Sequence, residues 1–252
     1  MNLYNFVEIL FRFFPKSLQL PCEYNIRMLL SGLEKEMKCL NSLIASSGRA
    51  IDIGANRGLY TYLLSKLCTS VESFEPQPWC SELITEYSKK FGKNINVYDC
   101  ALSDSTDTLE LNIPILRGRL RTTLATGLAS FTKPDCEHKT ISIDVRPLDD
   151  FNFRDVAFIK IDVEGHESEV IAGAKKTILR EKPVMLVEIE QRHLGSKSID
   201  VVFDEIKQLG YQGFFLYNGH FIGLDAFDVD THQNLLKNPK LYVTNFIFKP
   251  NQ

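Results

Sequence analysis

"AIDIGANRGLYTYLLSKL", Ala50–Leu67, is the stretch on which the fold turns. A short apolar run carrying one carboxylate, Asp52, leads into two glycines four positions apart and then into a segment of helical periodicity. Buried strand, tight turn and helix in that order make the first crossover of a doubly wound α/β sheet. Gly54 and Gly58 lack a Cβ, so the backbone there can approach a bound group closely. A dinucleotide-binding turn reads G-x-G-x-x-G. Here Asn56 stands where the second glycine belongs, and Asp52 sets a negative charge beside the turn. Linked phosphates favour helix N-termini without a neighbouring carboxylate. The turn therefore suits a cationic ligand that carries no phosphate.

S-adenosylmethionine, with a positive sulfonium and a positive amino group, has that charge distribution. The next strand agrees: "VESFEPQP" ends in Glu75, 23 residues after Asp52. An acid at that spacing accepts hydrogen bonds from ribose hydroxyls in nucleoside-binding folds, and Pro76 stops the strand behind it. A third strand ends in "VYDCALSD", which places Asp99, Ala101 and Leu102 at the border of an adenine ring.

Working outward, strands are expected at Ala50–Ile53, Val71–Glu75, Asn96–Cys100, Phe158–Ile161, Met185–Ile189, Phe214–Tyr217 and Tyr242–Phe248. Helices are expected at Gly58–Leu67, Pro78–Phe91, Glu167–Arg180 and Ile199–Leu209. Strands separated by crossover helices imply a mostly parallel sheet. "GFFLYNGHFIGL" reads as a strand, an Asn-Gly turn and a return. The last run follows without a crossover helix, so it enters antiparallel, at or near an edge. "DTLELNIP" and "TISIDVRPL" are two further strands flanking a polar insertion at about 115–140.

The chain of 252 residues, 44% hydrophobic and 24% charged, has room for one large α/β domain. Its net charge of -3 argues against a nucleic-acid partner. Six cysteines form no C-x-x-C pair, which fits reduced thiols and a cytoplasmic location. Cys136 and His138 read as loop residues, and no metal site is expected. "NLYNFVEILFRFFP" is apolar but short and charged at Glu8 and Arg12, unlike a spanning helix. Residues 1–47 are expected to form a helical extension or cap and residues 48–252 the catalytic domain. The first 20 residues pack on that domain or, alternatively, touch a membrane surface or a partner.

"FIKIDVEGHESEVIAGA", Phe158–Ala174, brings Lys160, Asp162, Glu164 and His166 to the carboxyl end of a buried strand. Ionisable groups gathered there are costly unless they are paired or used. Together "IDIGANRGLYT", "ESFEPQP", "NVYDCALSD", "PLDDF", "IKIDVEGHESEVIAGA" and "PVMLVEIE" resemble the FkbM family of S-adenosylmethionine-dependent methyltransferases, over roughly residues 48–218. The resemblance implies a class I methyltransferase (Rossmann-like) fold, a seven-stranded sheet with one antiparallel strand. It implies methyl transfer to oxygen, often on a sugar, polysaccharide or polyketide-derived acceptor. It also implies that Asp52, Gly54, Asn56 and Gly58 hold the methionine end, Glu75 the ribose, and Asp99, Ala101 and Leu102 the adenine side. Asp162, Glu164 and His166 would lie beside the methyl. Arg57 departs from the family pattern, which has an apolar residue there, and Phe131 is atypical within "GLASF", Gly127–Phe131.

Two base assignments are open: His166 oriented by Asp162 or Glu164, or Asp162 itself with His166 behind it. A metal-assisted version would use Asp162 and Glu188. Arg117, Arg119 and Arg121 read as a solvated loop, or as a grip for an anionic acceptor. Competing functions are a nicotinamide oxidoreductase, against which Asp52 and Asn56 speak, and a catalytically silent cofactor-fold module.

Overall fold

The computed structural model describes residues 14–30, 32–44, 48–117, 122–124, 128–234 and 241–251. The described chain enters through a helix, Lys16–Leu29 (α1), followed by a short helix at Leu40–Leu43 (α2). The strand Arg49–Ile53 (β1) then opens the sheet, with all but its first residue buried. Gly58 starts the helix Leu59–Leu67 (α3), and Ser70–Phe74 (β2), Pro78–Phe91 (α4) and Ile95–Tyr98 (β3) follow. Pro78 at the first helical position of α4 and left-handed Gly92 just past its end are the expected start and stop signals.

The chain then leaves the main sheet. Ala101–Leu102 (β4), Asp107–Arg117 (β5), Thr122–Leu124 (β6) and His138–Arg146 (β7) form a separate sheet in the order β4-β7-β5-β6. The third expected strand accordingly stops at Tyr98 rather than Cys100, and His138 begins a strand rather than sitting in a loop. Val156–Ile161 (β8), Glu167–Gly173 (α5), Lys175–Glu181 (α6), Val184–Glu188 (β9) and Ile199–Gln208 (α7) resume the crossover pattern. The single helix expected over Glu167–Arg180 is two helices. Gly173 lies so close to the Ser103 carbonyl that a Cβ there would sit 1.9 Å from it, and the chain bends at Ala174.

Tyr211–Tyr217 (β10), His220–Gly223 (β11), Val229–His232 (α8) and Asn245–Pro250 (β12) complete the described chain. The main sheet has eight strands, ordered β11-β10-β12-β9-β8-β1-β2-β3. Seven of them make the class I arrangement, and the Asn218–Gly219 hairpin adds β11 at the edge. Strand β12 is antiparallel to both of its neighbours and lies two strands in from the edge.

Strand alternation divides the core into two faces. Ile51, Ile159, Ile161 and Val187 face α5–α7, whereas Ala50, Val71, Phe158 and Leu186 face α3 and α4. Leu20 of α1 and Leu40 of α2 pack into this second face. Asp52 and Lys160 share that parity and are direct partners in the parallel β1–β8 pairing. Two ionisable groups thus enter the α1 side of the core together. No helix among the described residues is long and apolar enough to cross a membrane, and residues 1–13 lie outside them.

Candidate active site

Two adjoining cavities open at the carboxyl ends of β1, β2 and β8. The first, a cleft of about 610 Å³ counting its open mouth, lies between Phe74, Glu75, Ala101 and Leu102 on one side and Leu111 of β5 and Phe131 of the inserted segment on the other. The second, about 560 Å³, lies toward α1 and is lined by Asp52, Arg57, Tyr60 and Lys160 together with Glu23 and Arg27. Gly54, Asn56 and Asp162 line both.

The turn after β1 is held from outside. Glu75 is buried and accepts the backbone N–H of Asn56 at 2.6 Å and that of Gln77 at 2.8 Å. Burial pushes its carboxyl up to about 7, against the pull of these two donors. Asn56 takes a left-handed conformation, φ 48°. Asp52 is buried and accepts a hydrogen bond from Thr61 Oγ1 at 2.5 Å, and that hydroxyl also meets Ser73 Oγ at 3.0 Å. Burial raises Asp52 to about 6.

Both glycines prove to serve packing. A Cβ on Gly54 would stand 1.8 Å from the Asp162 carbonyl oxygen, so this glycine lets the turns after β1 and β8 meet. Gly58 lines neither cavity. A Cβ there would lie 2.7 Å from Ile84 of α4 and 3.3 Å from Leu20 of α1, so Gly58 seats these helices.

The second acidic group separates by position. Strand β8 ends at Ile161, and left-handed Glu164 and Gly165 then turn the chain. Asp162 and Glu164 reach the cleft wall, and Asp162 Oδ2 pairs with buried Lys160 Nζ at 3.0 Å. Glu164 Oε2 is bonded by His193 Nδ1 at 2.8 Å, a contact that raises the imidazole's pKa. His166 lines neither cavity. Its Nε2 faces Ser103 Oγ at 3.0 Å, its Nδ1 lies 3.5 Å from Glu169, and Phe131 packs edge-on at 4.6 Å. Burial lowers its pKa. Asp99 is exposed and lines neither cavity, because the chain swings out between β3 and β4; Ala101 and Leu102 do line the first.

Lys160 also changes the metal-assisted reading. Its ammonium lies 3.0 Å from Asp162 and 4.0 Å from Glu188, in the place a divalent ion would neutralise. Burial and Asp162 push Glu188 up to about 9. Among the described residues no His, Cys, Asp or Glu group is arranged to hold a metal. Arg119 and Arg121 lie outside the described residues, as does Gly127. Ser130 and Phe131 of the same segment are placed at the cleft, where Ser130 Oγ donates to the Glu164 carbonyl at 3.2 Å.

Residues 52–212 match the model of the methyltransferase FkbM domain, and this stretch holds the turn, Glu75 and the Asp162–Glu164 wall. The chain belongs to the FkbM methyltransferase-domain family. S-adenosylmethionine is its cofactor, and the nicotinamide reading falls away. The chain is similar to the structure of methyltransferase FkbM from Methylobacillus flagellatus KT, at 17% identity and a TM-score of 0.53, over 96% of this chain and 57% of that one. It therefore spans a little over half the length of that relative. Likeness to an rRNA methylase from Streptococcus thermophilus is 10% in identity, with a TM-score of 0.47, over 86% of this chain and 95% of that one. For an S-adenosylmethionine-dependent O-methyltransferase from Thermotoga maritima the figures are 11% and 0.44, over 90% and 71%. At 17% identity the likeness to the Methylobacillus flagellatus structure is one of fold. No curated protein matches the sequence significantly.

The residues of this FkbM-family chain suit the cofactor in charge and polarity. The first cavity has apolar walls and one acid, Glu75; the second has both acids and guanidinium groups on its walls. Sequence reasoning missed His193 and the α1 residues. His193 lies just past the carboxyl end of β9, the sheet end where such folds bind ligands, and that position was the one available signal.

Proposed function

We propose that the chain transfers a methyl group from S-adenosylmethionine to a hydroxyl oxygen of a sugar, polysaccharide or related natural product. The observation that carries this reading is the position of Asp162. The sulfonium joins the ribose to the methionine end, so it belongs where the two cavities meet. Among the described residues, Asp162 is the only ionisable side chain on the walls of both.

The cofactor supplies an electrophilic methyl on a positively charged sulfur. The protein's share is alignment for in-line displacement and removal of the proton from a weakly acidic hydroxyl. Asp162, held by Lys160 on its far side, is the base. Glu164, braced by His193, receives a second acceptor hydroxyl. His166, turned to Ser103, keeps the helix start of α5 in place. The insertion that carries Ser130 and Phe131 closes the cleft and faces the acceptor.

A labelled-methyl assay on cell-envelope sugar fractions and neutral oligosaccharides tests the proposal. Asp162→Asn should lower kcat by about 10²–10⁴, the usual share of a general base, while His166→Ala keeps most of its turnover. Equal losses in the two variants would return the base role to His166. Label appearing on nitrogen or carbon would end the O-methyl reading.

A further inference from the structure

The family match begins at residue 52, yet the second cavity is walled in part by residues that precede it: Glu23, Arg27, Glu34 and Met37. Glu23 is 4% exposed. A carboxylate so buried is costly unless it is paired. It accepts from Arg27 Nε at 3.0 Å and Nη2 at 2.7 Å, and from Arg57 Nε at 2.7 Å. One buried acid thus ties helix α1 to the turn between β1 and α3, with a guanidinium from each on the cavity wall. We propose that Arg27 and Arg57, anchored on Glu23, form the clamp that binds the α-carboxylate of the cofactor's methionine end, so that α1 completes the cofactor site.

Three observations support the clamp. Guanidinium groups match carboxylates in geometry as well as in charge, and with Arg27 Nε and Nη2 and Arg57 Nε bonded to Glu23, the ligand's carboxylate meets their other nitrogens. The same cavity carries Asp52 and Asp162, so a zwitterionic amino-acid end finds an acid for its ammonium and a base for its carboxylate within one enclosure. Arg57 follows directly on Asn56, which lines both cavities, so its guanidinium enters from the side where the methionine chain must run. The departure from the family pattern at Arg57 then has a partner in Arg27, at a position the family model does not reach.

This inference rests on S-adenosylmethionine as the cofactor, and the experiment separates the two. Calorimetry compares S-adenosylhomocysteine with 5′-methylthioadenosine, which keeps the adenosine and the sulfur but lacks the amino-acid end. Arg27→Ala and Arg57→Ala should each weaken S-adenosylhomocysteine by about 10–100-fold, as for loss of a charge-assisted bond. Affinity for 5′-methylthioadenosine should change by less than about twofold, because the first cavity is untouched. If an alanine variant loses both ligands through misfolding, Arg27→Lys and Arg57→Lys decide, since they keep the charge and lose the fork; S-adenosylhomocysteine alone should then weaken. Equal effects on both ligands, or no effect on either, would overturn the clamp and leave the cofactor standing. Failure of the unaltered chain to bind either nucleoside would overturn the cofactor reading and the clamp with it.

Discussion

Replacing Gly54 with alanine tests whether the first glycine serves the protein or only its ligand. Its φ is 74°, and an added Cβ would stand 1.8 Å from the Asp162 carbonyl oxygen and 2.9 Å from its carbonyl carbon. The left-handed conformation costs an L-residue about 1–2 kcal/mol. The contact is with backbone, so no rotamer change relieves it, and the turn after β8 must move. That turn is fixed by the Asp162 N–H, which donates to the Ile53 carbonyl at 3.0 Å. Overpacking of this kind adds roughly 1–3 kcal/mol, giving about 2–5 kcal/mol in all. For a chain of this size each kcal/mol lowers Tm by about 2–4 °C, so Gly54→Ala should melt roughly 4–20 °C lower. Gly92→Ala is the control: φ is 59° there too, but nothing lies within 4 Å of the added carbon. It should pay only the conformational cost, about 1–2 kcal/mol. Scanning calorimetry of the two variants isolates the collision. A Gly54→Ala chain that melts no lower than Gly92→Ala would refute the argument that this turn is packed against Asp162.

Three further outcomes follow from buried charge. Burial raises Glu36 and Glu167 from 4.5 to about 7. Each therefore contributes stability that is fully present below about pH 4.5 and is lost as the pH rises through about 7. The ligand-free chain should melt higher at pH 5 than at pH 8, and Glu36→Gln should gain roughly 1–3 kcal/mol at pH 8 with little change at pH 5; a pH-independent effect in denaturant melts would contradict this. Lys160→Met leaves Asp162 and Glu188 without their ammonium, and loss of one partner of a buried pair costs about 3–5 kcal/mol, to be read as a fall in urea midpoint. His193→Ala should lower kcat by roughly 10–100-fold without weakening S-adenosylhomocysteine, on the scale of other positioning contacts, and His193→Asn, which retains a donor at the Nδ1 position, should restore most of it. A cofactor affinity that falls in parallel with kcat would count against a positioning role.

What was legible in the sequence is what local chemistry decides. Strand β1, its turn and α3 follow from apolar spacing and two glycines, and the place of Glu75 on the cavity wall follows from its distance beyond Asp52 and the proline after it. The placement of His166 outside both linings has a reason visible only in space. Residues 160, 162, 164 and 166 share a face only if the strand continues, and it stops at Ile161, with two left-handed residues rotating His166 away from the cleft. Asp99 stands outside the linings similarly, because the chain leaves the main sheet at Tyr98 to build a second one. Lys160 was visible as a residue but not as the neighbour of Asp52, since that requires the parallel register of strands separated by more than one hundred positions. Arg27 carried no signal at all: a salt-bridged (i, i+4) pair with Glu23 is what any solvated helix shows. Docking of α1 against α3 and α4 buries that pair and turns it inward. The side chains whose surroundings local pattern does not give are therefore those whose neighbours lie on a distant segment, and Glu23, Arg27 and Arg57, joined across α1 and the turn after β1, are the clearest case.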